Sequence, residues 1–177
     1  MTRQIGRDLD FLASELRPIA LDELGLAAAL PRFVNEWSAH VGIPAEFRAN
    51  AFQTGQLARA AEVTFFRVAQ EALNNVAKHA HATRADILLS SRDGHVVLVI
   101  EDDGAGFDVS DDGGSGEGVG LASMHERAAL VGATLQVEST PGKGTSVFLR
   151  CPIDDGSAKP AGEGGNPNDS RPARGRP

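Results

Sequence analysis

If residues 57–79 form one helix, Glu71, Asn75 and Lys78 share a narrow face of it. At 100° per residue, with Glu71 at zero, Asn75 lies at about 40°, Lys78 at about −20° and Arg67 at about −40°. Phe65, Ala69, Ala72, Leu73 and Val76 fill the opposite arc, which is the face that packs. On the polar stripe a carboxylate can hold or activate a nucleophile. An amide oxygen can ligate a hard cation, and an amine can neutralise phosphate. The solvated side of any amphipathic helix has the same spacing, so the stripe alone decides nothing.

A second group of residues lies downstream. The apolar run "HVVLVIED" ends on Asp102, which is followed by Asp103, Gly104, Ala105 and Gly106, then a polar loop, then Gly116, Gly118 and Gly120 before an apolar-periodic segment. A strand-end carboxylate can accept the exocyclic amino group of adenine. Glycines let a backbone approach closely, and the free N–H groups that open a helix suit anionic oxygens. The glycines lack the short strand-to-helix turn of a dinucleotide fold, and no G-x-x-x-x-G-K-[ST] occurs, which excludes a P-loop.

Other elements must position these groups. Ile5, Leu9, Leu12 and Leu16 recur at helical spacing from Arg3 to Leu16, and Pro18 ends or kinks that helix. "LDELGLAAALPRFVNEW" reads as a second helix, bent near Pro31, and "IPAEFRANA" as a short strand. The long helix follows. "RADILLSS", the Asp93-Gly94 pair and "HVVLVIED" form a hairpin, because Asp-Gly tolerates the positive φ of a tight turn. "LASMHERAALVG" is a helix closed by Gly132, and "ATLQVEST" pairs with "GTSVFLRCP" around "PGKG". From Asp154 onward the composition is that of a disordered tail.

Composition narrows the class. Apolar residues make up 41% of the chain and aromatic residues 5%, with no tyrosine, so the core is aliphatic. A formal net charge of −7 argues against sequence-independent binding of nucleic acid. The one cysteine, Cys151, permits no internal disulfide and reads as a small buried residue. No apolar run approaches the roughly 20 residues of a membrane helix, and no signal-peptide core opens the chain, so a cytoplasmic location is expected. His40, His81, His95 and His125 read as surface or structural residues, and Met124 as core.

Taken together, the motifs resemble the ATP-binding module shared by gyrase-type topoisomerases, heat-shock chaperone ATPases, sensor histidine kinases and mismatch-repair ATPases. "QEALNNVAKHA" resembles its asparagine box, "DDGAGF" its first glycine box, "GEGVGLASM" its second and "PGKGTSVFL" its terminal threonine segment; all four stand in the family's order. "ELRPIALDELGLAAAL", Glu71 at the first position of the asparagine box and "MHERAALVGATLQVESTPGKGT" are similar to the histidine kinases that pair with regulators of the NarL/LuxR type. The resemblance covers residues 3–152. It implies an α/β two-layer sandwich, with a mixed sheet covered by helices on one face and preceded by a helical segment of a dimerisation hairpin. By position it divides the chain into a remnant of the second dimerisation helix (1–20), an ATP-binding catalytic domain (21–153) and a tail (154–177).

The resemblance also assigns roles. Asn75 is similar to the Mg²⁺ ligand, Glu71 to the residue that orients or deprotonates the attacking group, Lys78 to the phosphate-contacting lysine and His79 to a residue near ribose or phosphates. Asp102 matches the adenine-recognising aspartate and Thr145 the threonine that shares a water with it. Gly104, Gly106, Gly118, Gly120 and Leu121 match positions around the nucleotide, and Phe107 to Glu117 match the ATP lid. The implied cofactors are ATP and Mg²⁺. The implied partners are a NarL/LuxR-type response regulator and a second copy of the chain, met through the dimerisation helices. In this family the phosphoacceptor histidine lies on the first dimerisation helix. No histidine precedes His40, so autophosphorylation of this chain alone is not expected. A non-catalytic ATP-sensing module and an anti-sigma-type serine kinase are alternatives on the same residues.

Overall fold

A computed structural model describes residues 19–108 and 118–153. The helix expected over Arg3–Leu16, most of the lid and the tail from Asp154 lie outside the described residues. The elements are α1 (Ile19–Leu24), α2 (Leu26–Val41), β1 (Ala45–Asn50), α3 (Arg59–Asn75) running into a π-helical turn (Val76–Ala80), β2 (Ala85–Arg92), β3 (His95–Asp102), α4 (Gly118–Leu130), β4 (Thr134–Ser139) and β5 (Thr145–Pro152).

Among the described residues the strands form one sheet in the order β1-β2-β3-β5-β4. The β1–β2 pair is parallel and the other pairs are antiparallel. Strand alternation sends one face of this sheet into the core. Ala85, Ile87 and Leu89 of β2, Val96, Leu98 and Ile100 of β3, and Val147, Leu149 and Cys151 of β5 are buried there. Val97, Val99 and Phe148 on the other face are only half-buried, and Leu88 is exposed. The helices supply the second layer: Leu26, Leu30, Phe33 and Trp37 of α2, Phe65, Val68 and Leu73 of α3, and Met124 and Ala128 of α4 join the same core. The expected two-layer sandwich with a mixed sheet is the fold found.

Local chemistry explains the joints. Asp93 and Gly94 both have positive φ (51° and 71°), as a two-residue hairpin with right-handed strand twist requires. At the end of α4, Ala133 N–H donates to the Ala128 carbonyl and Gly132 N–H to that of Ala129, which closes the helix with Gly132 at φ 68°. The segment expected to be one helix bent at Pro31 is two. The break falls at Gly25 (φ 74°), while Pro31 sits inside α2 without ending it. Arg59 then ties α1 to α3, donating to the Leu21 carbonyl and pairing with Asp22 and Glu62.

On the core face the last row of the sheet is polar from β3 to β4. Asp102 pairs in register with Ala85 on one side and Thr145 on the other, and Thr145 pairs with Ser139. By alternation Asp102 points the same way as Leu98 and Ile100, toward the helices.

The one-sided core has a measurable consequence. Leu98→Ala, fully buried on the core face, should cost about 2–5 kcal/mol of stability. Leu88→Ala, on the open face of the neighbouring strand, should cost less than about 1 kcal/mol. Urea unfolding of the two variants checks the difference, and equal losses would contradict it.

Candidate nucleotide site

α3 is amphipathic for the reason its sequence gives: Ala61, Phe65, Val68, Ala69, Ala72 and Leu73 are buried along one side. Glu71 and Asn75 are half-buried on another side, where the start of α4 meets them. Gly120 lies so near that a Cβ there would stand 2.5 Å from Glu71 Oε1 and 3.8 Å from Asn75 Nδ2. The asparagine-box pair and the second glycine box are thus brought together, and the absence of a side chain at Gly120 permits the approach. Gly118 begins α4, and Leu121, half-buried, follows Gly120 in its first turns.

Lys78 and His79 follow Asn75 in a turn of different pitch. The last turn, Val76–Ala80, is π-helical and therefore wider than an α turn, and it ends at His81 in the left-handed region (φ 51°). Both side chains are exposed at this end of the helix, past Asn75.

That same end meets the end of β3. The Ala105 N–H donates to the Ala80 carbonyl at 2.6 Å. Gly104 is buried against Ala80: a Cβ on Gly104 would collide with the Ala80 carbonyl oxygen and stand 2.7 Å from its Cβ. The Asp102 carboxylate accepts the Gly104 N–H at 2.8 Å. Burial pushes the Asp102 carboxyl above the ordinary carboxylate range, and the neighbouring Asp103 charge adds to that. The Gly104 and Thr145 N–H groups act in the opposite direction. Gly106 packs against the Thr140 carbonyl in the β4–β5 turn, and Gly142 N–H donates to Ala105 O at 2.5 Å.

Beside Asp102, Ser139 Oγ donates to the Gly144 carbonyl (3.0 Å), accepts the Phe107 N–H (2.9 Å) and lies 3.0 Å from Thr145 Oγ1. Because the Ser139 proton is committed to Gly144, the Thr145 hydroxyl is the donor of that last bond. Its lone pairs are left to accept from elsewhere.

Sequence reasoning missed Ser139 and also Asp103. Asp103 Oδ1 accepts the Thr83 N–H (2.7 Å) and the Arg84 N–H (3.0 Å), and Oδ2 accepts the Thr83 hydroxyl (2.5 Å). These bonds hold its carboxyl at about 2, with the Thr83 hydroxyl the largest cause. A signal was available in the Asp-Asp doublet. Only one of two consecutive strand residues can face the core, so the other needs a partner of its own.

The donor set suits a hard cation held with its waters. An amide and a carboxylate stand together at Asn75 and Glu71. Among the described residues, no three His, Cys, Asp or Glu side chains gather into a metal cluster.

Residues 60–155 match the family of histidine kinase-, DNA gyrase B- and HSP90-like ATPases. The chain belongs to that family. Among proteins similar to this ATPase domain are the oxygen sensor histidine kinase NreB of Staphylococcus carnosus, 36% identical over 155 residues, and the sensor histidine kinase MctS of Rhizobium johnstonii, 38% identical over 147 residues. Those matches cover 88% and 82% of this chain but only 44% and 32% of the relatives, so it spans less than half of their length. The histidine kinase domain of the blue-light activated kinase of Erythrobacter litoralis has the same fold, with a TM-score of 0.58 at 24% identity over 72% of this chain and 61% of that one. α1, α2 and β1 precede the matched residues yet share the ATPase core. Among the described residues no helix is long and apolar enough to cross a membrane.

The Asp103 contacts predict an acid-sensitive increment of stability. Its carboxyl falls from an ordinary 3.8 to about 2 on folding, so this contribution is complete above about pH 4 and is lost as pH drops toward 2. Asp103→Asn should flatten that part of the profile relative to the unaltered chain. Urea unfolding at pH 4, 3 and 2 checks it, and parallel profiles would contradict it.

Proposed function

We propose that this chain is the ATP-binding catalytic domain of a two-component sensor histidine kinase. The observation that carries the reading is the apposition of Glu71 and Asn75 to Gly120, at the start of the helix that follows the glycine loop. Similarity to two sensor histidine kinases supports the same branch of the family.

In this reading adenine enters at the Asp102 end of β3, where a half-buried carboxylate accepts the exocyclic amino group. The Thr145 oxygen, its proton turned to Ser139, accepts a bridging water beside it. Phosphates run toward the start of α4, where the N–H groups of Gly118, Gly120 and Leu121 meet anionic oxygens. Gly104 and Gly106 keep the backbone under the base free of side chains. Lys78 neutralises phosphate charge, and His79 borders the ribose and phosphates.

Asn75 would hold Mg²⁺ through its amide oxygen, and that ion supplies charge neutralisation at the phosphates. Glu71 orients the acceptor group or takes its proton. The remaining contribution is positioning, which is where most of the catalytic power in phosphoryl transfer lies. The acceptor is a histidine on a dimerisation helix of a homodimer. A response regulator of the NarL/LuxR type receives the phosphoryl group next, in the cytoplasm.

Asp102→Asn tests the base end. A hydrogen bond to a charged acceptor is worth about 1.5–3 kcal/mol, so the variant should bind ATP at least about tenfold more weakly. Isothermal titration with a non-hydrolysable ATP analogue and Mg²⁺ measures this. Unchanged affinity would remove Asp102 from base recognition.

A further inference from the structure

Asp102 and Asp103 are neighbours with opposite surroundings. Asp102 faces the core row and the space assigned to adenine, whereas Asp103 is exposed and turned toward the segment that leaves the long helix. That segment is short: the π turn ends at Ala80 and β2 begins at Ala85, so only residues 81–84 reverse the chain. The reversal starts at His81 in the left-handed region.

Asp103 collects both free backbone donors of the reversal's second half, Thr83 N–H and Arg84 N–H, together with the Thr83 hydroxyl. The backbone ladder of β2 and β3 stops at Ala85 and Asp102, and the carboxylate continues the pairing past its end. On the far side of the reversal the Ala105 N–H holds the Ala80 carbonyl. Residues 80–84 are therefore fastened to 103–105 at both ends, and Gly104 is packed between them.

We propose that Asp103 is a positioning residue of the nucleotide site. It fixes the phosphate-side groups at the end of the long helix, Lys78 and His79, relative to the base-side groups Asp102 and Gly104. The inference rests on the functional reading above. Asp103 touches neither the base row nor Glu71 and Asn75. It acts by removing the freedom of a four-residue connection, across which a small displacement would separate base recognition from phosphate contact. The chemistry allows a sharp distinction between hydrogen bonding and charge. Asparagine can keep both backbone bonds through its oxygen and donate its amide to the Thr83 oxygen, whereas alanine keeps none.

The test compares the full chain with Asp103→Ala, Asp103→Asn and Thr83→Val. Affinity is measured for a non-hydrolysable ATP analogue with Mg²⁺ and, separately, for adenosine. Asp103→Ala should weaken the triphosphate roughly tenfold and leave adenosine within about twofold, the size of effect expected when a supporting partner is lost. Asp103→Asn should restore the unaltered values within about twofold, and Thr83→Val should fall between. Equal losses for both ligands would mean general loosening and overturn the inference, as would an asparagine variant as weak as the alanine one.

Amide exchange without nucleotide reads the clamp independently. Thr83 and Arg84 should lose protection in Asp103→Ala and keep it in Asp103→Asn, and unchanged protection in the alanine variant would overturn the inference. Failure of the unaltered chain to bind ATP would instead overturn the functional reading, and this inference with it.

Discussion

The backbone of Gly104 lies against the carbonyl of Ala80 with no room for a side chain between them, and the Ala105 N–H bonds that same carbonyl. This contact joins two segments that chemistry needs together and sequence keeps apart. One is the end of the long helix, with Asn75, Lys78 and His79; the other is the end of β3, with Asp102. A methyl group at residue 104 would collide with that carbonyl, so the two segments would have to shift. Gly120 does the same at the other end of the cleft, where α4 meets Glu71 and Asn75. Two glycines thus set the distances of the site, and the buried core behind α3 holds the helix that both of them approach.

The same geometry separates two adjacent carboxylates. Strand alternation turns Asp102 toward the helices, where burial raises its carboxyl, and turns Asp103 toward the chain reversal, where three donors lower it. A poorly solvated carboxylate gains from a ligand that brings an N–H donor. One already saturated by its own protein has nothing left to offer a ligand. In the proposed reading, adjacent residues of one chemical type take different tasks, one in recognition and one in architecture.

Much of this was legible in the sequence. The period-two runs around Asp93-Gly94 and around "PGKG" specify hairpins because turn chemistry and alternation agree. Gly132 closes α4 because only a residue comfortable at positive φ can end it that way. The projection at 100° correctly set Glu71 and Asn75 opposite the buried face of α3. From Val76 the turn is π-helical, a change of pitch that a constant-angle projection cannot register. Pro31 was the visible helix breaker, yet the break falls at Gly25 (φ 74°), and α2 continues through Pro31 despite the missing N–H. Asp103 with Thr83, and Ser139 with Phe107, were hidden for another reason. Their partners are 20 and 32 residues away, and only the assembled sheet edge brings them within reach.

The central claim is that the asparagine box, the first glycine box and the start of α4 form one nucleotide cleft on the helical side of the sheet. Hydrogen–deuterium exchange on the full chain, with and without a non-hydrolysable ATP analogue and Mg²⁺, tests it most directly. Exchange should slow together in 71–80, 102–107 and 118–121, while 88–97 and 148–152, in the strands away from Asp102, stay unchanged. Slowing confined to those strand segments, or to one of the three site segments without the other two, would contradict the account.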